Sequence, residues 1–404
     1  MPQSELTQLH DYPYRRLAAL LGDAPAGMDV INTHIGEPQN PAPAMVADTV
    51  AQHADLWSKY PPLKGTADYR QAVADFLTRR YRLDAGFIDP DKNILPVAGT
   101  REALFQTALL AASRKRDRLD AGQTPIICLP NPLYHVYFGG ALMAHAEIIA
   151  VDAVAENNFV PDYEALSPEI LDRIALVYLC SPGNPTGTVA SLDRLKAMIT
   201  AARRHDFILA VDECYSEIWF DTPPAGGVEA CAALGGGLEN VIVLNSLSKR
   251  SSAPGLRCGF VAGEAGLMED FAMLRGYGGV QVPGPLMAAG TALWQDERHA
   301  QENRDLYANL VATAERILGE YPGFQRPEAA FFLWLDVSHA GLTGEEAAKR
   351  LWEEQALKCL PGRYMSRRRA DNTSPGDAFI RVALVHDNAI VEEACRRIAA
   401  ILEL

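Results

Sequence analysis

Lys249 follows an apolar, β-type segment at residues 241–244 and is flanked by the hydroxyl groups of Ser246 and Ser248. Arg257 comes eight residues after the lysine. A lysine amine can act as a covalent nucleophile toward a carbonyl group. Hydroxyl groups and a guanidinium are suited to binding an anion. The spacing therefore predicts an amine that reacts beside a bound anion at the end of a buried strand.

Two further turns carry polar groups at the ends of predicted strands. Gly99, Thr100 and Arg101 begin a predicted helix, and the free N–H groups of a helix N-terminus bind anions such as phosphate. Thr100 would serve equally well as a simple helix cap. Asn184 lies in the turn SPGNPTG directly after an apolar strand, where an ordinary turn asparagine is the alternative.

Asp212 ends the next apolar strand, and Tyr215 follows three residues later. A carboxylate that leaves a hydrophobic strand needs a cationic or N–H partner, unless it caps the following helix. Tyr134 and Tyr137 follow another strand. Aromatic rings in such places belong to the core or rim more often than they support a cofactor.

These groups lie at the ends of successive strands, and together they match one ligand. It must carry a phosphate, a basic ring nitrogen, a phenolic oxygen and an aldehyde, which is the set found in pyridoxal 5′-phosphate. The amine of Lys249 then condenses with the aldehyde, and a lysine Schiff base is an established form of covalent catalysis. Each group alone is ordinary, so the prediction depends on their combination.

Composition excludes several classes of protein. The formal charge of −14, from 37 basic and 51 acidic residues, argues against nucleic-acid binding, because no excess of cations is present to neutralise phosphates. Apolar stretches are too short to predict a membrane span. Seven cysteines without a C-x-x-C pair predict a reduced, cytoplasmic setting. No His, Cys or carboxylate spacing predicts a metal site.

Short apolar strands alternate with helical patterns along most of the chain. This alternation predicts an α/β fold with a largely parallel sheet covered by helices on both faces. The texture changes after about residue 285, where long helices and two strands predict a smaller α+β domain. We expect a large domain over residues 47–285 and a small domain formed by residues 1–46 and 286–404. The predicted strands are residues 125–130, 146–151, 174–180, 207–213, 241–245 and 258–263.

The sequence resembles the fold-type I, pyridoxal-phosphate-dependent aminotransferases of the aspartate aminotransferase class. The motifs SPGNPTG, VDECYSE and SLSKRSSAPGLRCGF occur in the order and spacing of that family. The resemblance extends from IGEP at 35–38 to FIRVALV at 379–385. PNPLYHVY, SKRSSAPGLRCGF and LPGRYM look most like the bacterial N-succinyl-L,L-diaminopimelate aminotransferases.

The resemblance assigns a role to each matched position. It implies that Lys249 bonds covalently to the cofactor and that Asp212 pairs with its ring nitrogen. Asn184 and Tyr215 would bond to the phenolic oxygen, and Tyr134 would stack on the ring. The residues expected at the phosphate are Gly99, Thr100, Arg101, Ser246, Ser248 and Arg257.

The resemblance also implies a homodimer with shared active sites, because Tyr60 matches a tyrosine that reaches the phosphate of the neighbouring subunit. Gly36 and Arg381 match positions that bind the α-carboxylate of the substrate, next to Asn184. A planar guanidinium suits this task because it meets a carboxylate with two parallel hydrogen bonds. Without the resemblance, Arg381 would be an ordinary arginine on an edge strand.

The implied reaction is a ping-pong transfer of an amino group from glutamate to N-succinyl-2-amino-6-ketopimelate, a step of diaminopimelate and lysine biosynthesis. That acceptor carries a distant carboxylate and needs a second cation. The candidates for it are Arg250, Arg363 and the arginines of the run 367–369.

Several alternatives remain open at this point. Within the family they are an aspartate, aromatic or kynurenine-type aminotransferase and a pyridoxal-phosphate-dependent C–S lyase. A catalytically silent binding protein is disfavoured by the full set of site residues. A nicotinamide-dependent dehydrogenase is disfavoured because no G-x-G-x-x-G motif follows an early strand.

Overall fold

The computed structural model describes residues 5–9, 12–23 and 28–404. Residues 1–4, 10–11 and 24–27, which belong to the predicted segment 1–46, lie outside the described residues. Within the described part, the chain forms sheets of seven, three and two strands. No described helix is long and apolar enough to cross a bilayer.

The strands are numbered in chain order. They are β1 (Ile31–Asn32), β2 (Ile94–Val97), β3 (Ile126–Asn131), β4 (Glu147–Asp152), β5 (Ile174–Cys180), β6 (Ile208–Asp212), β7 (Val241–Ser246), β8 (Gly259–Gly263), β9 (Phe332–Asp336), β10 (Leu357–Lys358), β11 (Leu360–Pro361) and β12 (Phe379–Ala383).

The α-helices are numbered in the same way. They are α1 (Glu5–Leu9), α2 (Pro13–Leu21), α3 (Met45–Gln52), α4 (Ala67–Tyr81), α5 (Pro90–Asn93), α6 (Thr100–Arg116), α7 (His135–Met143), α8 (Pro168–Leu171), α9 (Leu192–His205), α10 (Gly227–Leu234), α11 (Leu247–Arg250), α12 (Ala265–Gly278), α13 (Gly284–Gln295), α14 (Arg298–Leu318), α15 (Gly344–Gln355) and α16 (Asn388–Leu402).

The seven-stranded sheet has the order β2-β8-β7-β6-β5-β3-β4. Strand β8 is antiparallel to both of its neighbours, and the other pairs are parallel. Its central strands read as continuous apolar runs, such as IALVYLC in β5, because helices cover both faces of the sheet. The predicted α/β class with a mostly parallel sheet is confirmed.

Helix α9 shows how a covering helix forms. The Ser191 side chain caps it by accepting a hydrogen bond from the Arg194 N–H. Its buried residues recur at three- and four-residue intervals, which places them in one apolar stripe against the sheet. These are Leu195, Met198, Ile199 and Ala202.

The parallel register brings the ends of three strands to one edge of the large sheet. Cys180, the last residue of β5, lies opposite Asp212, the last residue of β6. Strand β7 runs parallel to β6 and ends at Ser246. The loops that follow these strands carry Asn184, Tyr215 and Lys249 into the same region, as expected for a ligand site at the carboxyl ends of strands.

A second core surrounds the three-stranded antiparallel sheet β11-β12-β9. The parallel pair of β1 with β10 joins an N-terminal segment to this part of the chain. Helix α13 buries Met287, Leu293 and Trp294 in the core of the large sheet. The structure therefore has the predicted smaller domain, and the boundaries at 46/47 and 285/286 remain a prediction.

Candidate active site

A cavity of about 660 Å³ opens where the carboxyl ends of β5, β6 and β7 face the small sheet. Its size is ordinary for a site that binds a cofactor or small ligand. It brings together twelve of the predicted site residues. These are Gly36, Thr100, Arg101, Tyr134, Asn184, Asp212, Tyr215, Ser246, Ser248, Lys249, Arg257 and Arg381.

Lys249 projects into this cavity from α11, the short helix that follows β7. The Ser246 side chain caps α11 by accepting a 3.2 Å hydrogen bond from the Ser248 N–H. The Lys249 Nζ donates to the carbonyl of Gly36. Burial lowers the pKa of Lys249 to about 8, and the Arg381 guanidinium acts in the same direction. A neutral, nucleophilic amine is therefore accessible near neutral pH.

Asp212 is buried on the floor of the cavity, where only 4% of it is exposed. The Tyr137 hydroxyl donates to its Oδ2 at 2.7 Å, and the Cys214 N–H donates to its Oδ1 at 3.3 Å. Burial raises the pKa of Asp212, whereas these hydrogen bonds lower it. Because both partners are neutral donors, a cationic ring nitrogen in the cavity would stabilise the charged carboxylate.

The start of α6 and the loop carrying Arg257 form an anion cradle. Gly99 precedes α6 with φ 80°, and a Cβ there would lie 2.1 Å from Nη2 of Arg257. Only glycine allows this close approach. Arg257 donates to the carbonyls of Pro254 and Ala98 at 2.8 and 3.0 Å. These bonds fix the guanidinium beside the N-terminal N–H groups of α6.

Hydroxyl groups complete the cradle. Ser246 Oγ and Ser248 Oγ lie 2.8 Å apart. Thr100 Oγ1 lies 3.0 Å from Cys214 Sγ, so this hydroxyl joins α6 to the loop after β6. Helix N–H groups, hydroxyls and a cation on one wall suit a phosphate.

Arg381 lies on the opposite side of the site, on β12 of the small sheet. Its Nη1 donates to Asn184 Oδ1 at 2.9 Å and its Nη2 donates to the His34 carbonyl at 2.7 Å. Since Oδ1 of Asn184 accepts from Arg381, the Nδ2 group is left to donate into the cavity. The sequence placed Arg381 and Asn184 in one site, and the structure brings them into direct contact.

Two tyrosines line the walls. The Tyr134 hydroxyl accepts a 2.9 Å hydrogen bond from Arg101 Nε, and burial raises the pKa of Tyr134 to about 12. The Tyr215 ring packs edge-on against Phe331 and Phe332, and burial raises its pKa above the ordinary value. Both side chains are therefore neutral phenols near pH 7.

One site interaction was missed by the sequence analysis. The sequence pattern gives Tyr137 only as a core residue or a cofactor platform, whereas in the structure its hydroxyl donates a hydrogen bond to Asp212. The spacing held a clue, because Tyr134 and Tyr137 lie three residues apart at the start of α7 and share one helix face.

The cations expected near a distal carboxylate lie elsewhere. Arg250 is 1% exposed and donates to the Leu293 carbonyl at 2.7 Å and to Glu297 at 3.0 Å. It does not line the cavity, so Arg250 is wrong as a candidate for the distal carboxylate of the substrate. It directly follows Lys249 on a helix, and consecutive helical side chains point about 100° apart. Within the described residues, Arg363 and the run 367–369 also lie off the cavity wall.

The contacts of these arginines explain their positions. Arg363 Nη1 lies 3.6 Å from Asp377 Oδ1. Arg369 Nε lies 2.6 Å from Asp152 Oδ2. A different cation, Arg101, lines the cavity.

Tyr60 lies outside the cavity and is fully exposed. Trp57 and Leu63, its neighbours in sequence, are 55% and 36% exposed. An aromatic residue with no cover from its own chain fits the expectation that Tyr60 serves a neighbouring subunit. That role remains a prediction.

The sequence matches the family Aminotransferase class I and II over residues 28–398. The chain belongs to this family. Class I and II aminotransferases use pyridoxal 5′-phosphate, so the predicted cofactor is confirmed at the level of the family.

This aminotransferase is similar to several known proteins along its whole length. It is 38% identical to an aminotransferase structure from Neisseria meningitidis, with a TM-score of 0.91 and 98% of each chain covered. It is 35% identical to the aminotransferase AspB structure from Helicobacter pylori, with a TM-score of 0.85 and coverage of 97% and 98%. It is 28% identical to the LL-diaminopimelate aminotransferase of Moorella thermoacetica, covering 98% of this chain and 97% of the relative.

The residues of the cavity fit the cofactor of the family. The anion cradle suits its phosphate, the buried Asp212 suits its ring nitrogen, and Lys249 offers an amine of lowered pKa to its aldehyde. Among the described residues, no group of three His, Cys, Asp or Glu side chains is placed to hold a metal ion.

Proposed function

We propose that this aminotransferase exchanges an amino group between glutamate and N-succinyl-2-amino-6-ketopimelate, acting as a succinyldiaminopimelate transaminase. The supporting observation is that two guanidinium groups line the cavity in addition to Arg257 of the anion cradle: Arg381 from the small sheet and Arg101 from α6. Two separated cations suit a substrate with an α-carboxylate and a second, distal carboxylate. Glutamate and the proposed acceptor both meet this requirement.

In this proposal, Lys249 is the covalent partner of the cofactor and Asp212 faces its ring nitrogen. The Asn184 Nδ2 and the Tyr215 hydroxyl donate to its phenolic oxygen, and Tyr134 lies against its ring. The phosphate takes the N–H groups of Gly99, Thr100 and Arg101. It also takes the side chains of Thr100, Ser246, Ser248 and Arg257.

When bound, pyridoxal 5′-phosphate supplies an aldehyde that takes up the amino group and a ring that accepts electrons from Cα. The neutral Lys249 Nζ would remove the proton from the substrate Cα and return it to the cofactor carbon that carried the aldehyde. The carboxylate of Asp212 holds the ring nitrogen in its protonated form. With the cofactor and substrate held in the cavity that Lys249 lines, this proton transfer would be effectively intramolecular.

Arg381 and Gly36 orient the substrate. The Arg381 guanidinium is held by Asn184 and by the His34 carbonyl, so it meets the α-carboxylate from a fixed direction. The Gly36 carbonyl accepts from Lys249. A Cβ at Gly36 would lie 2.6 Å from the Phe332 ring, so a larger residue would crowd this wall.

Arg101 is the proposed contact for the distal carboxylate. Its side chain is exposed and bonds through Nε to Tyr134, which leaves the outer nitrogens of the guanidinium to bind an anion. In this proposal Arg101 takes the place of Arg250, Arg363 and the run 367–369 as the contact for the distal carboxylate. The backbone N–H of Arg101 still binds the phosphate, whereas its guanidinium binds the substrate.

A second candidate is transamination with LL-diaminopimelate as the amino donor. It is favoured by the names of several curated relatives, which are called LL-diaminopimelate aminotransferases and are 26–29% identical to this chain. Aspartate, aromatic and kynurenine-type acceptors are further alternatives. A C–S lyase would release ammonia and pyruvate from cysteine conjugates without a second keto acid.

We also propose a cytoplasmic homodimer in which Tyr60 reaches the phosphate of the other subunit. Support comes from the full exposure of Tyr60 and from the exposed apolar residues Trp57, Tyr277 and Val280. All seven cysteines are free thiols, which is typical of a reducing compartment.

The test combines spectroscopy with an acceptor panel. Glutamate should shift the visible band of the purified protein toward the ultraviolet, and Lys249→Arg should abolish both the band and turnover. The panel compares the succinylated acceptor, 2-oxoglutarate with LL-diaminopimelate, oxaloacetate and an aromatic keto acid. A kcat/KM at least tenfold higher for the succinylated acceptor supports the proposal, and a higher value for any other substrate overturns it.

A further inference from the structure

Residues 249–252, the segment that begins with Lys249, are hydrogen-bonded to α14 through the side chain of Asn303. Asn303, on the first turns of α14, is buried at 7% exposure. Its Nδ2 donates to the backbone carbonyl of Lys249 at 2.9 Å and to that of Arg250 at 3.3 Å. Its Oδ1 accepts from Ser252 Oγ at 2.8 Å.

The side-chain amide of Asn303 is also connected, through Asn40, to the segment of Gly36, whose carbonyl accepts a hydrogen bond from Lys249 Nζ. Asn303 Oδ1 also accepts from Asn40 Nδ2 at 3.2 Å, and Asn40 Nδ2 lies 2.6 Å from Ser252 Oγ. Asn40 is four residues after Gly36, whose carbonyl accepts from Lys249 Nζ. One side chain is thus bonded to the backbone of the lysine and, through Asn40, to the segment that receives its amine.

We propose that Asn303 is a positioning residue for Lys249, setting where the lysine amine meets the cofactor through simultaneous bonds to the Lys249 carbonyl and to Asn40. The inference rests on the proposed role of Lys249. Asn303 is not among the residues that line the cavity, and its effect would pass through the backbone of residues 249–252. This connection joins α14, whose Leu310 and Val311 lie in the core of the small sheet, to the end of β7.

The amide group is required because donation and acceptance are both used. The Asn303 Nδ2 group donates to two carbonyls, while Oδ1 accepts from two donors. A carboxylate of the same shape could accept from Ser252 and Asn40, but it would face the Lys249 and Arg250 carbonyls with no proton to share. Burial prevents water from replacing the lost partner, so the segment must shift.

The experiment uses the full-length protein with Asn303→Asp and Asn303→Leu. Thr313→Val is the matched control, because Thr313 is as buried on α14 as Asn303. The variant loses one 2.7 Å hydrogen bond, to Asn388, at a place ten residues along the helix from Asn303. Three quantities are measured: the dissociation constant of pyridoxal 5′-phosphate from the apoprotein, the pH midpoint of the visible band, and the unfolding temperature of the apoprotein.

We expect both Asn303 variants to bind the cofactor about tenfold more weakly, the magnitude of one buried hydrogen bond. Their visible band should titrate about half a pH unit or more away from the wild-type midpoint, a shift that destabilisation alone does not produce. Thr313→Val should lower only the unfolding temperature. Wild-type affinity and midpoint in the Asn303 variants would overturn the proposal.

A further variant covers the case in which the Asn303 variants do not fold. Asn40→Ala keeps the bond to the Lys249 carbonyl and removes the link to residues 36–40, and it should shift the midpoint with a smaller, about threefold loss of affinity. An unchanged midpoint there contradicts the positioning role. Failure of the proposed role of Lys249 gives a different result. In that case the wild-type protein would show no visible band that titrates with pH, or the band would persist in Lys249→Ala.

Discussion

The Tyr137 hydroxyl donates a 2.7 Å hydrogen bond to Oδ2 of Asp212 beneath the cavity floor. The Tyr137 ring is stacked on the Tyr178 ring at a centroid distance of 4.5 Å, which fixes its direction. The Cys214 N–H holds the other carboxylate oxygen. The orientation of Asp212 is therefore determined before any ligand enters, and its charged form is stabilised in a buried place where it would otherwise be costly.

Tyr137→Phe tests this relationship. Losing the donor should raise the pKa of Asp212, because this hydrogen bond lowers it. A hydrogen bond to a charged group is worth about 1.5–3 kcal/mol. The loss in kcat multiplied by the loss in cofactor affinity should therefore be about 10- to 100-fold. Tyr163→Phe is the control, since its buried hydroxyl donates to the Tyr178 carbonyl at 2.8 Å, away from Asp212. Equal losses in the two variants would contradict the assignment.

Much of the large sheet was predictable from the sequence alone. The predicted strand at 174–180 has the same bounds as β5, and the strand predicted at 241–245 is one residue shorter than β7. These strands are buried on both faces, so each is an uninterrupted apolar run that ends at a polar or turn residue. The end of such a run also marks the site edge, which is why Asp212 and Lys249 were identified.

What the sequence could not supply is the direction of side chains in loops and short helices. Arg250 adjoins the reactive lysine, yet its guanidinium lies 5.2 Å from the centroid of the Phe76 ring, in the interior. Asn303 lies 54 positions after Lys249, and nothing in the chain between them indicates contact. Such pairings depend on tertiary packing, which local patterns do not encode.

Arg101→Ala tests the proposed distal contact. Loss of the guanidinium should raise the KM for acceptors with a distal carboxylate by about 10- to 100-fold, the usual magnitude for a charge-assisted pair. The KM for a keto acid without that group should change little. Arg363→Ala is the control, because Arg363 carries the same charge and lies off the cavity wall. A large loss of cofactor affinity with an unchanged KM would instead assign the Arg101 side chain to the phosphate.

Glu213→Gln should change how stability depends on pH. Burial raises the pKa of Glu213 to about 7, although Gly227 N–H and the Tyr81 hydroxyl both donate to it. The unfolded chain therefore releases this proton first as pH rises from about 4.5 to 7, and the free energy of unfolding falls across that window by up to about 3 kcal/mol.

The glutamine variant carries no such proton. Urea titrations at pH 5 and pH 8 should show the wild type losing stability relative to Glu213→Gln as pH rises. Glu239→Gln is the control, because Glu239 is half exposed at the surface. A gap that stays constant or moves the opposite way would show that folding does not raise the pKa of Glu213.

The rate at which apoprotein takes up pyridoxal 5′-phosphate should report the pKa of Lys249. Only the neutral amine attacks an aldehyde, and with a pKa of about 8 roughly one-tenth of it is neutral at pH 7. The association rate should therefore rise steeply between pH 7 and 8 and level off above pH 9. Arg381→Gln removes a positive charge that lowers this pKa, so the midpoint should move to higher pH. Arg363→Gln removes an equal charge off the cavity wall and should leave the midpoint in place. An unchanged midpoint in Arg381→Gln would mean that the Arg381 guanidinium does not act on the Lys249 amine.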